Sequence, residues 1–241
     1  MAYIYFMTMK KLLTSALVTA LVVGCSSQVT TASLEQFSNY TGGQTIGDAT
    51  SLYWYTERAT FPYSAGDYVS AGDYGWYQSD YRWSDGNLRE LIRQGEQLKD
   101  NLVLVPYRIH VRFDKQGDAI YQQYRLDGKV LPLKNDKLQW LQQEARNIPP
   151  LTKSQSSNGL KLIQGYWDGS TFETCSGRSY DQVEFNETLP SFVVNRLSTL
   201  DSYVAFLGAT RNSKIVVNQL LMLADDDHDC IEQPSLIEDE L

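Results

Sequence analysis

Hydrophobic and polar residues in the first half of the chain alternate in the way that is typical of antiparallel strands. From Val105 to Phe113, apolar side chains occupy every second position, and Arg or His lies at most of the positions between them. This period of two predicts a half-buried strand. Acidic-glycine turns such as Asp85-Gly86 and Asp127-Gly128 separate successive segments of this kind. Residues 48–148 are therefore predicted to form an antiparallel β-meander.

One helix is predicted at the end of this first segment. Leu138, Leu141 and Ala145 share one face of residues 136–147, and Asn135 can cap the first turn. The pair Pro149-Pro150 is expected to end the helix because proline has no N–H to donate. The polar residues 149–159 are then predicted to be a linker between two domains.

The second segment, residues 160–232, returns to short apolar runs separated by turn residues. Five short strands and a helix near residues 188–200, with Val193, Val194 and Leu197 facing inward, would suit a small barrel of the oligonucleotide/oligosaccharide-binding (OB) architecture. Residues 233–241 are predicted to be an acidic tail. The predicted fold class is mainly β: an antiparallel meander sheet with one helix, followed by an OB-like five-stranded barrel.

The N-terminal residues resemble a bacterial lipoprotein export signal. Lys10-Lys11 precede an apolar stretch from Leu12 to Val23, and Gly24-Cys25 follows it. The resemblance implies that residues 1–24 are removed and that Cys25 carries acyl chains, which anchor the protein without spanning the membrane. Ser26 in place of aspartate implies the periplasmic face of the outer membrane. Residues 25–47 are polar and are predicted to be a flexible tether.

The charge of the chain argues against some classes of partner. Residues 1–24 contain two lysines and no acid, so the mature chain would carry 19 basic and 29 acidic side chains, a net charge of about −10. Eight of the acids follow Ala224, where there is no Lys or Arg. Such a chain lacks the basic surface that nucleic acid requires. The expected partners are the membrane, through the lipid anchor, and envelope proteins or peptidoglycan.

Cys175 and Cys230 are the two cysteines that remain beside Cys25. In an oxidising compartment an even pair favours a disulfide. The alternative is a pair of free thiols that bind metal, but no CxxC or CxxH spacing supports it.

Two resemblances concern the mature protein. Residues 165–178, with Phe172, Cys175, Gly177 and Arg178, are similar to a signature of the small barrel domains in outer-membrane stress-sensing lipoproteins. The chain as a whole resembles an uncharacterised lipoprotein family (domain of unknown function) of enteric bacteria and vibrios. That resemblance implies location and architecture but no catalytic residue.

The acidic run at the end of the second segment is the first candidate site. Carboxylates attract hard cations such as Ca²⁺, and a histidine can recruit Zn²⁺ or Cu²⁺. A solvated acidic run is the alternative, because the spacing lacks a calcium-hand loop. The possible metal ligands are Asp225, Asp227, His228 and Asp229. No cofactor is expected.

The aromatic residues of the meander form the second candidate. The chain has 16 Tyr and 5 Trp, and aromatic rings can stack on the sugars of envelope glycans. The alternative is that the rings pack the sheet. The residues proposed for such a glycan platform are Trp54, Trp76, Tyr81 and Trp83.

No catalytic constellation emerges from the sequence, since no GxSxG or comparable motif occurs. The predicted function is that of an outer-membrane-anchored, non-enzymatic binding or envelope-maintenance protein. One alternative is a periplasmic stress or metal sensor. Another is a glycan-acting hydrolase, which would need paired carboxylates such as Asp73 or Asp80 with Asp85 or Glu90.

Overall fold

The first half of the protein forms one antiparallel sheet, sheet A, in a computed structural model that describes residues 36–100 and 103–238. Its eight strands lie side by side in chain order, and each pairs antiparallel with the next. The predicted meander is therefore confirmed. The strands are β1 (Phe37–Ile46), β2 (Ala49–Arg58), β3 (Phe61–Ser70), β4 (Gly75–Ser84), β5 (Asn87–Lys99), β6 (Val103–Phe113), β7 (Ala119–Leu126) and β8 (Lys129–Leu131).

Two predicted turns have the backbone geometry of tight hairpins. Asp85 and Gly86, between β4 and β5, have φ values of 53° and 78°, and Asp127 and Gly128, between β7 and β8, have values of 50° and 73°. Positive φ at both central residues matches the right-handed twist of the flanking strands. Aspartate and glycine tolerate this conformation better than other residues do.

Strand β1 corrects the prediction that the tether extends to residue 47. Residues 37–46 pair along their whole length with β2, with Tyr40 opposite Tyr55. Two glycines let other elements approach this strand: a Cβ on Gly42 would lie 2.0 Å from Oε1 of Gln155, and one on Gly43 would lie 2.5 Å from Leu221. The polar, glycine-containing residues 37–46 therefore form an edge strand, against which Gln155 and Leu221 pack.

Helix α1 (Asn135–Ser157) corrects the predicted helix end and the predicted linker. It continues through Pro149 and Pro150, and Asn135 is its first residue rather than its cap. Leu141, Ala145, Ile148 and Thr152 form the buried face that packs against sheet A. An interior proline costs a helix about 3 kcal/mol, and this buried face, which extends past both prolines, outweighs that cost.

The second half forms a six-stranded, barrel-like sheet, sheet B, so the predicted barrel-like second part is present with six strands instead of five. The parallel pairing of β12 (Gln182–Phe185) with β14 (Lys214–Asp225) is its one departure from antiparallel order among the described residues. Helix α2 (Ser191–Thr199) buries Val193 as expected. Val194 is 49% exposed, so the prediction that it faces inward is wrong. The strands are β9 (Lys161–Trp167), β10 (Phe172–Thr174), β11 (Ser179–Tyr180), β12 (Gln182–Phe185), β13 (Ser202–Arg211) and β14 (Lys214–Asp225), in the spatial order β11-β10-β9-β13-β14-β12.

The two sheets share a hydrophobic core. Leu52 of β2 lies in one buried cluster with Tyr203 and Leu207 of β13 and Leu221 of β14. Contacts of this kind join the two sheets in one compact unit. Residues 149–159 are therefore mostly helix within that unit and not a linker between separate bodies.

Residues 233–238 of the predicted acidic tail pack against the rest of the protein. We call residues 231–238 the C-terminal segment. It crosses sheet A, where the backbone N–H groups of Leu236 and Ile237 donate to Oδ2 of Asp80 at 2.9 and 3.0 Å. Ile237 is buried, so apolar packing holds this acidic part of the chain in place.

Candidate ligand-binding cavity

A buried arginine lies at the centre of the face of sheet A that α1 covers. Arg93 of β5 is 1% exposed. Its Nε donates to the Ser79 hydroxyl at 2.8 Å, and its Nη2 donates to the Tyr81 hydroxyl at 2.9 Å. Its Nη1 lies 2.8 Å from Oε2 of Glu144, and its Nη2 lies 3.7 Å from Oδ2 of Asp67. The guanidinium thus connects three strands and the helix.

The strand register explains why these polar groups meet. Tyr53, Asp67, Ser79 and Arg93 are successive cross-strand partners on β2 to β5. Side chains directly opposite one another in a sheet point to the same face. The row therefore projects together beneath α1, which supplies Glu144.

Aromatic groups complete this network. Tyr81 donates to Oδ2 of Asp67 at 2.7 Å, and Tyr77 donates to Oε1 of Glu144 at 3.1 Å. The guanidinium of Arg93 lies 3.9 Å from the ring centre of Tyr77 and 5.0 Å from that of Trp140. Aromatic faces attract cations in this geometry, so the rings hold Arg93 while its hydrogen bonds orient it.

Burial changes the acidity of the carboxyl groups in this network. Loss of solvent raises the pKa of Asp67, although Arg93, Ser79 and Tyr81 oppose the change. Loss of solvent also raises the pKa of Glu144, again against the attraction of Arg93. Two carboxyl groups share one guanidinium, and the closer one, Glu144, takes the direct ion pair.

A partly enclosed cavity of about 430 Å³ lies beside this network, between sheet A and α1. Asp67 is among the residues that line it, and Oδ1 of this carboxyl group has no hydrogen-bond partner among the described residues. Buried polar atoms nearly always have a partner, so this oxygen marks the cavity wall as a place where a ligand could bind. The sheet contributes Tyr53, Asp67 and Tyr77 to the walls, and the helix contributes Trp140, Glu144 and Asn147.

Residues 41–235 match the family described as "Protein of unknown function (DUF1481)". The chain belongs to this family. It is 30% identical over 169 residues to the "Uncharacterized protein YjaH" of Escherichia coli (strain K12), which covers 65% of this chain and 68% of that protein. No solved structure matches the chain. The range matched by the DUF1481 family includes the whole buried network.

The proposed glycan platform is not assembled, and that prediction is corrected. Trp54 and Trp76 lie on the face of sheet A opposite α1, where Trp76 stacks on Tyr68 with ring centres 6.0 Å apart. Tyr81 and Trp83 are buried in the core on the α1 side. Alternate residues of a strand point to opposite faces of a sheet. The first two residues of the platform therefore cannot form one surface with Tyr81 and Trp83.

The predicted metal ligands are also separated. Asp225 pairs with Arg196, and the His228 ring stacks on Tyr203 at 4.5 Å. Across residues 36–100 and 103–238, no three His, Cys, Asp or Glu side chains come together in a way that could hold a metal ion. The acidic run, with Asp227 and Asp229, does not assemble into a site.

The carboxylates considered for a hydrolase do not share an open cleft. Asp80 is fully buried under the C-terminal segment, and Glu90 pairs with His110 at 2.6 Å. Asp73 and Asp85 lie near opposite ends of β4, a strand of ten residues. At about 3.3 Å per residue, that spacing is far too long for a catalytic pair.

The structure joins Cys175 and Cys230 in a disulfide with a Cα–Cα distance of 6.1 Å, as the sequence predicted. Cys25, the predicted lipidation site, lies outside the described residues. None of the helices in the described part of the chain is both long enough and apolar enough to cross a membrane.

The sequence does not predict the cavity residues, because residues 64–75 are rich in glycine and aspartate, a composition typical of loops. The structure places residues 61–70 in β3, which sets Asp67 in register with the other strands. One signal was available: Leu91, Arg93 and Gly95 occupy alternate positions of a strand. A charged residue on an otherwise buried face indicates a paired, specialised position.

Proposed function

We propose that this protein is a lipid-anchored binding module of the bacterial envelope, held by Cys25 at the periplasmic face of the outer membrane. The observation that carries the binding role is the cavity under α1, because it combines apolar and aromatic walls with a few buried polar groups. Small-molecule sites have this composition. The lipoprotein-like N-terminus and the Cys175–Cys230 disulfide, which suits an oxidising compartment, support the location.

Binding explains the cavity better than catalysis does. A nucleophilic enzyme needs a hydroxyl or thiol next to a base that a third group orients. Around the cavity, the Ser79 hydroxyl accepts from Arg93, and the hydroxyls of Tyr77 and Tyr81 donate to carboxylates. These groups stabilise one another and hold the cavity walls rigidly, which favours recognition of a ligand.

The anchor is tested by membrane fractionation of cells that make the wild-type chain or Cys25→Ala. The wild-type protein should sediment with outer membranes and incorporate labelled palmitate. The variant should incorporate none and should leave the outer-membrane fraction. Equal sedimentation of both proteins, or an unlabelled wild type, would contradict the proposed anchor.

In-cell crosslinking followed by mass spectrometry tests whether the module also contacts envelope proteins or peptidoglycan. A partner recovered with the wild-type chain and lost with Cys25→Ala would identify an adaptor. Recovery of the same proteins with both chains would show that anchoring does not direct the contact.

A redox-responsive sensor is a second candidate, and one observation favours it. The disulfide joins Cys230 to Cys175, the residue that follows β10. Cys230 immediately precedes the C-terminal segment, which covers Asp80. Reduction would remove this tether. If the sensor role is correct, a mild reductant should expose residues 231–238 to limited proteolysis without unfolding sheet A. Unchanged cleavage would argue against it.

A further inference from the structure

The cavity beside Asp67 has more negative than positive groups. Arg93 is the cation that both carboxylates share, and Glu144 occupies its Nη1 at 2.8 Å, whereas Asp67 lies 3.7 Å from Nη2. The side chain of Asp67 is 3% exposed. A buried carboxylate normally has an opposite charge and hydrogen bonds on both oxygens.

The two oxygens of Asp67 differ in this respect. Oδ2 accepts from Tyr81 at 2.7 Å, while Oδ1 has no hydrogen-bond partner among the described residues, and Asp67 lines the cavity. In the ionised form of Asp67, Oδ1 can only accept, and a donor from the cavity would then complete its pairing. A donor that also carries positive charge would balance the second carboxylate.

The walls suit such a ligand. Trp140 and Tyr53 present aromatic surface to the cavity, and aromatic faces stabilise alkylammonium groups. Apolar side chains of Val69, Ile148 and Leu151 also line the cavity, where a short alkyl chain can pack. An anion would meet two carboxylates, so this site disfavours it.

We propose that the cavity between sheet A and α1 binds a small organic cation with a primary ammonium group, which donates to Oδ1 of Asp67 while its alkyl part packs under Trp140. This inference rests on the proposed binding role and names the ligand class for it. No covalent step is involved.

The test uses the full chain purified in detergent and four probes of similar small size: 1,4-diaminobutane, 1,4-butanediol, succinate and glucose. Titration calorimetry and tryptophan fluorescence should detect the diamine and show at least tenfold weaker binding of the other three. Asp67→Asn keeps the shape of the side chain and removes its charge, so it should weaken diamine binding at least tenfold. Asp118→Asn, an exposed acid in the β6–β7 turn, is the matched control and should bind like the wild type.

A second variant guards against a failure of Asp67→Asn to fold. Ala49→Leu adds bulk to the cavity wall at the start of β2 without touching Asp67. It should reduce diamine affinity while the chain still unfolds cooperatively.

Three outcomes would overturn the inference: no diamine binding, equal binding by Asp67→Asn, or equal binding of diamine and diol. Binding of glucose alone would contradict the proposed ammonium ligand but would still support the proposed binding role. Membrane fractionation of Cys25→Ala does not depend on any ligand, so failure of the anchor and failure of the cation site are distinguishable.

Discussion

Sheet A buries one aspartate on each face, and the two differ in how completely they are paired. Asp67 on β3 and Asp80 on β4 lie on adjacent strands, one residue apart in register. Both are almost fully buried. Asp80 accepts from Leu236 and Ile237 and pairs with Arg82.

Asp80 is a structural carboxylate, whereas Asp67 is a candidate recognition group. The partners of Asp80 include Arg82 of its own strand and two backbone N–H groups of the C-terminal segment, so contacts within the folded chain satisfy it. Asp67 shares Arg93 with Glu144 and keeps one oxygen at a cavity. Burial alone therefore does not identify a binding residue in this protein, whereas incomplete pairing next to a cavity does.

The largest effect is expected from Arg93→Met, which would leave both Asp67 and Glu144 without their cation. Breaking a buried ion pair by removing one partner typically costs about 4 kcal/mol. The free energy of unfolding, measured with urea, should fall by about that amount. Arg108→Met, at an exposed arginine of β6, should change it by less than about 0.5 kcal/mol. Similar losses of unfolding free energy in both variants would contradict the special role of the buried arginine.

Asp80→Ala should reduce stability by about 3 kcal/mol, because it leaves two backbone N–H groups and Arg82 without the carboxylate. The C-terminal segment should also become sensitive to protease. Asp118→Ala is the control at an exposed acid. Loss of stability with a fully protected C-terminal segment would contradict the role given to Asp80.

The pH dependence of Asp67→Asn should sharpen the contrast between the faces. Burial raises the folded-state pKa of Asp67 above its unfolded value near 4. Its contribution to stability is therefore fully present below about pH 4 and is lost as pH rises through the higher folded pKa. The stability of the wild type minus that of Asp67→Asn should decrease from pH 4 to pH 7 in urea titrations. If the wild type instead becomes more stable relative to Asp67→Asn as pH rises, folding favours the ionised carboxylate and the prediction is wrong.

The smallest effect is expected from Trp76→Phe, on the face that Asp80 occupies. This change removes the hydrogen bond from Nε1 to Glu96, which is 3.1 Å long and partly buried. We expect a loss of about 0.5 kcal/mol. Trp83→Phe, in the core on the Asp67 face, should cost more because it leaves a cavity. The reverse order would contradict the assignment of the two tryptophans to opposite faces.

Sequence alone determined the local architecture of this protein. Period-two patterns and acidic-glycine turns specified β4 to β8, since a strand's inward face and a tight hairpin depend on residues that are close in the chain. The disulfide followed from cysteine number, and the mainly β class from the succession of strands.

Tertiary structure decided the extent of α1, the place of β1 and the composition of the cavity. Pro149 and Pro150 remain helical because Ile148 and Thr152 pack against sheet A, and the strand nature of Gly42-Gly43 depends on Gln155 and Leu221. Asp67, Arg93 and Glu144 lie 26 and 51 residues apart in the sequence and meet only through strand register and helix docking. Local sequence patterns indicate which face of a strand a residue occupies. Which residues meet on that face depends on packing between distant parts of the chain.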